Sequence, residues 1–82
     1  MANLATYFDT LYSAKEEARK LVPSGHILNE DDFFQLQHVN YGTTGFILAR
    51  LITPKGNEAR KCLHASIYRM DSGRYELTAY LG

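Results

Sequence analysis

A chain of 82 residues fits one domain, and a domain this small buries only about 60–65% of the surface its unfolded form exposes. Nearly every apolar residue is therefore needed in one core, and little remains to wall a deep private active site. Nine basic and nine acidic residues cancel, which argues against tight phosphate binding, and the single cysteine, Cys62, excludes an internal disulfide and points to a reducing compartment.

No apolar run approaches the ~18 residues of a membrane span, and no signal-peptide pattern opens the chain. The expected location is the cytoplasm, and no membrane partner is expected. The charge is uneven: residues 1–32 hold three basic and six acidic side chains, net −3, and residues 33–82 hold six basic and three acidic, net +3. A +3 half is a weak signal for an anionic partner, because nucleic-acid domains are usually far more basic.

Asn3 can cap a helix. Leu4, Phe8, Leu11, Ala14, Ala18 and Leu21 then recur at three- or four-residue spacing, an apolar stripe that predicts one helix over residues 4–22. Lys15, Arg19 and Lys20 gather toward its negative end, and Pro23 forbids continuation. Asn29-Glu30-Asp31-Asp32 can start a short helix, but the partial alternation of Phe33 to Val39 favours a strand. Asn40 to Thr44 is a turn cluster, Gly45 to Thr53 a strand, and Pro54-Lys55-Gly56-Asn57 a reverse turn.

Leu63, Ala65 and Ile67 alternate with Cys62, His64, Ser66 and Tyr68. Tyr75, Leu77, Ala79 and Leu81 alternate with Glu76, Thr78 and Tyr80. With Asp71-Ser72-Gly73 between the two runs, the pattern is that of a β-hairpin. Ala59, Leu63, Ile67 and Met70 also fit a helix capped by Asn57; the β-type flanks of the turn decide against it. The expected fold is α+β, one N-terminal helix packed on a four-stranded antiparallel meander.

The alanines at 49, 65 and 79, with Leu36, Leu63, Ile67 and Leu77, suit the face beneath the helix. The other face then carries Phe46, Leu48, Ile52, Tyr68 and Tyr80, mixed with Arg50, His64, Ser66 and Thr78. Such a patch is seldom left to water without a use, and aromatic residues with Arg are what interface centres prefer. The expected partner surface is Phe46, Leu48, Arg50, Ile52, Tyr68 and Tyr80, facing another protein or a second copy of the chain through the sheet.

Sites of chemistry are weaker. His26, His38, His64 and Cys62 match no zinc spacing. A Cys62 nucleophile with His64 or His38 as base defines the alternative reading, an enzyme or small-ligand binder. Glu30-Asp31-Asp32 lacks the alternation of a calcium loop. Gly42-Thr43-Thr44-Gly45 lacks the Gly-Lys-Ser/Thr ending of a phosphate loop. Tyr68 and Tyr80 beside Arg50, Arg69 and Arg74 fit a base-stacking sheet, but no RNP-like sequence is present. No catalytic residue, cofactor or metal is expected.

In size, in its single early helix (Leu4 to Val22) over a meander (Phe34 to Leu81), and in lacking a catalytic signature, the chain resembles the anti-CRISPR proteins, small phage-encoded inhibitors of bacterial defence. The resemblance implies stoichiometric binding to a Cas protein or surveillance complex in the host cytoplasm, with no cofactor. Many such inhibitors are acidic nucleic-acid mimics, whereas this chain is neutral overall. By that resemblance Glu30, Asp31 and Asp32, with Glu16 and Glu17, form a second partner surface.

Overall fold

The closing hairpin forms as its alternation requires. In the computed structural model, which describes residues 6–82, β5 (Leu63–Arg69) and β6 (Tyr75–Leu81) pair antiparallel with Ile67 opposite Leu77 and His64 opposite Tyr80. Met70 N–H donates to Arg74 O and Gly73 N–H to Met70 O, both at 2.9 Å. The three-residue loop needs a left-handed residue at its end, and Gly73 supplies it at φ 90°. The helical alternative for residues 59–70 is thereby removed.

The earlier elements are β1 (Thr6–Phe8), α1 (Leu11–Arg19), β2 (Ile27–Leu28), α2 (Glu30–Phe34), β3 (Thr44–Ala49) and β4 (Leu51–Ile52). β1, β6, β5 and β3 form a four-stranded antiparallel sheet in that order, and β2 pairs with β4 in a small second sheet. The fold class is α+β, as expected, but the elements filling it differ in three places.

First, the N-terminal helix is shorter than 4–22. Asn3 and Leu4 lie outside the described residues. Thr6-Tyr7-Phe8 is extended and pairs with β6, Thr6 opposite Leu77, and Thr10 caps α1 by accepting from Ser13 N–H at 3.0 Å. Three β-favouring residues that gain a strand partner outweigh a helical start. Ala14 and Ala18 are buried as the stripe requires, whereas Leu21 lies beyond α1 and is exposed.

Second, Phe33 to Val39 is not a strand. Asn29 caps α2, its Oδ1 accepting from Asp32 N–H at 3.1 Å, and three acidic residues in the first turn complement the helix dipole. Phe33 is buried from α2, while Leu36 and Val39 are buried from the irregular segment after it. These two side chains sit directly on Gly45: a Cβ there would come within 2.5 Å of Leu36 Cδ1 and 2.9 Å of Val39 Cγ2.

Third, the strand expected at 45–53 breaks at Arg50, because the chain changes partner there. β3 pairs with β5, whereas β4 pairs with β2, Leu51 opposite Leu28 and Ile52 opposite Ile27.

The inner sheet face is covered by two helices rather than one, α1 over β5 and β6 and α2 over β3. The core takes Ile47, Ala49, Leu63, Ala65, Ile67 and Leu77 from the main sheet and Ala14, Ala18, Leu28, Phe33 and Leu51 from the other elements. Arg69, at one end of this face, lies 3.9 Å over the Tyr41 ring and 5.5 Å from that of Tyr75. Among the described residues no helix is long and apolar enough to cross a membrane.

Candidate interaction surface

Side chains alternate across a pleated sheet, so with the odd positions of β5 and β6 turned inward, the even ones form the outer face. Register places Thr44, Tyr68, Glu76 and Tyr7 in one row across the four strands. Phe46, Ser66 and Thr78 form the next, and Leu48, His64 and Tyr80 the third. The aromatic and aliphatic members stand in solvent: Phe46 is 56% exposed, Leu48 51%, Tyr7 46%, Tyr80 43% and Tyr68 37%. Among the described residues nothing covers them.

His64 is the spine of this surface. Its ring stacks on Tyr80 at 4.5 Å between centroids and 8° between planes, and lies 6.1 Å from Phe46. Its Nε2 is 3.1 Å from Gly82 O. These contacts fix the imidazole flat, so Phe46, His64 and Tyr80 present one pre-formed aromatic strip, and little side-chain entropy remains to be lost on binding.

Two residues expected on this surface are engaged elsewhere. Arg50 is held by Asp32: its backbone N–H and Nε donate to Asp32 Oδ2 at 2.9 and 2.8 Å, and its Nη2 to Oδ1 at 2.8 Å. The Arg50 bonds pull the Asp32 carboxyl from 3.8 to about 2 and hold the guanidinium more firmly protonated. Ile52 lies in β4, paired with Ile27. Tyr7 is the member that sequence reasoning missed; Thr6-Tyr7-Phe8 is β-favouring, but the helical stripe running through Phe8 concealed it.

The acidic cluster is not an open anionic patch. Glu30 accepts from the two terminal guanidinium nitrogens of Arg19, from Nη2 at 3.0 Å, and these bonds hold its carboxyl below the usual range. Arg19 also binds Glu16 at 3.1 Å and Lys20 binds Glu17 at 2.8 Å. Of Glu16, Glu17, Glu30, Asp31 and Asp32, Asp31 alone has no ion pair among the described residues.

Cys62 is half-buried beside Gly82, with which it exchanges two backbone hydrogen bonds of 2.9 and 3.0 Å. Among the described residues no three His, Cys, Asp or Glu side chains gather as metal ligands.

A cleft of about 560 Å³ lies between α1 and α2, with Leu11, Tyr12, Lys15, Phe33 and Phe34 in its walls. Its two basic side chains are engaged within the chain: Lys15 Nζ donates to Leu36 O at 2.8 Å, and Lys15 and Arg19 lie over the Phe33 ring at 5.0 and 4.6 Å. Burial and the neighbouring Arg19 push the Lys15 ammonium pKa down.

No protein-family model matches the chain, and no curated protein or solved structure matches it either.

Proposed function

We propose that the protein works without chemistry of its own, by binding another protein through the outer face of its main sheet. One observation carries this reading: Phe46, Leu48, Tyr68 and Tyr80 stand together, exposed and uncovered among the described residues, on a sheet face stiffened by the His64–Tyr80 stack. Aromatic side chains held in fixed positions supply most of the energy at protein interfaces. The resemblance to anti-CRISPR proteins narrows the partner to a Cas protein or its complex. In that case the aromatic strip, rather than nucleic-acid mimicry by Glu30 and Asp32, makes the contact, because both carboxylates are neutralised within the chain. The lone thiol of Cys62 suits a reducing compartment, and the cytoplasm is the location we propose.

Phe46→Asp and Tyr80→Asp test this. Each puts a charge at one end of the strip while leaving the inner face intact. Partner capture from the cell that makes the protein should fall at least ~10-fold for both, as expected for the loss of an interface anchor. Lys55→Asp in the remote turn should retain full capture, and far-ultraviolet circular dichroism should match the parent throughout. Undiminished capture by both face variants would remove the reading.

A further inference from the structure

The main sheet has a long free edge. In an antiparallel ladder the N–H and C=O of one residue point to the same side, and those of the next residue to the other. Arg69 N–H donates to Thr43 O at 3.2 Å. With the β3–β5 register this places Thr43, Gly45, Ile47 and Ala49 in bonds to β5. The backbone groups of Thr44, Phe46, Leu48, Arg50 and Ile52 then point outward.

The last two of these are covered. β2 runs along Ile52, Asn29 N–H donates to Arg50 O at 2.9 Å, and Asp32 Oδ2 accepts from Arg50 N–H. The chain then peels away as α2. Thr44, Phe46 and Leu48 are left with no backbone partner among the described residues. The stretch is Thr-Gly-Phe-Ile-Leu-Ala, without charge or proline, the composition that natural sheet edges avoid unless the edge is used.

We propose that this edge pairs with the same edge of a second copy, β3 against β3, antiparallel about a two-fold axis at Phe46. The observations favour a second copy over an unrelated strand. The open run 44–48 is centred on Phe46 and stopped at both ends. At one end is the turn in which Thr43 N–H bonds Asn40 O at 3.2 Å; at the other is the Asn29–Arg50–Asp32 cap. Antiparallel pairing sets Thr44 opposite Leu48 of the second copy, so both ladders run out together.

The charges agree. The turn Asn40-Tyr41-Gly42-Thr43 is uncharged and meets a cap whose Asp32 and Arg50 neutralise each other. Three outward residues per copy make about six new hydrogen bonds, and the two Phe46 residues lie about 5.5 Å apart at their Cα atoms. The two outer faces merge into one eight-stranded surface. An interface confined to an edge falls below about 1,200 Å², so the dimer is weak and concentration-dependent, with a dissociation constant on the order of micromolar or higher.

The test uses the purified full chain alone, by sedimentation and by amide hydrogen exchange. Raising the concentration from about 1 μM to 1 mM, a span set by that affinity range, should move the mass from 9.3 kDa toward twice that value. In parallel, the Thr44, Phe46 and Leu48 amides should become protected. Charge placement reads the register. Thr44→Lys with Leu48→Lys sets like charges opposite each other and should keep the chain monomeric. Thr44→Lys with Leu48→Glu sets opposite charges together and should restore the dimer. Both pairs lie at exposed positions, and unchanged circular dichroism confirms folding.

A mass of 9.3 kDa at every concentration, or a dimer indifferent to the Lys/Lys pair, overturns the proposal. So does protection appearing only when a different peptide is added. Tyr80→Asp, on the far side of β5 from the edge, should leave self-association unchanged, so failure here is distinguishable from failure of the partner-binding reading.

Discussion

Ile67→Ala should lower the melting temperature by roughly 10–25 °C and leave much of the protein unfolded under warm physiological conditions. Ile67 sits in the interior strand β5, flanked by Gly45 of β3 and Leu77 of β6, and is fully buried. Truncating a buried isoleucine removes its transfer free energy and leaves a cavity, at a cost of about 2–5 kcal/mol. The site cannot relax cheaply, because Leu36 and Val39 already press on the Gly45 backbone beside it. A domain of this length has only about 4–12 kcal/mol of net stability, at ~0.05–0.15 kcal/mol per residue. Ile67→Val, which removes one methyl group, should cost about 0.5–1.5 kcal/mol. Thermal denaturation followed by circular dichroism separates the two. An alanine variant melting within a few degrees of the parent would show that this core closes over the gap.

The second large effect concerns Asp32. Its side chain is 13% exposed, and it accepts three hydrogen bonds from Arg50, joining α2 to the corner where β3 becomes β4. Asp32→Ala should lower the melting temperature by several degrees at neutral pH and speed exchange of the Arg50 amide, whose acceptor is lost. The pH dependence has a definite sign. A carboxyl lowered from 3.8 to about 2 on folding contributes stability that is complete above its unfolded value. That contribution is lost as pH falls through about 2. The gap between parent and variant should therefore be constant from neutral pH to about 4 and close between about 4 and 2. A gap that persists unchanged at pH 2 would mean that the carboxylate charge is not what holds this corner.

What was legible in the sequence was what alternates over a long enough stretch. Leu63 to Leu81 carries seven-residue runs on both sides of a glycine turn, and the two faces of the sheet followed from it. The inner alanines 49 and 65 and the exposed Phe46, Leu48, Tyr68 and Tyr80 all lie where that pattern puts them. What was hidden is short or non-local. β1 spans only Thr6–Phe8, and its partner strand lies at the opposite end of the chain. α2 spans five residues, and its Phe33-Phe34 pair reads equally well as part of a strand. The Asp32–Arg50 pin lies between side chains that no local spacing connects. The exposed outer face of the sheet was therefore largely visible in outline, while the ion pairs that engage Arg50 and Glu30 were not.

The sheet order has a consequence for how the molecule is made. β1 completes the sheet by lying beside β6, so the first described strand to leave the ribosome has nowhere to pair until the last is synthesised. Cooperative assembly is thereby deferred until Tyr75 to Leu81 have emerged, and closing so distant a contact is intrinsically slow. A nascent chain lacking Tyr75 to Leu81 leaves one side of β5 bare and should be a protease-sensitive substrate for chaperones rather than a partly working protein.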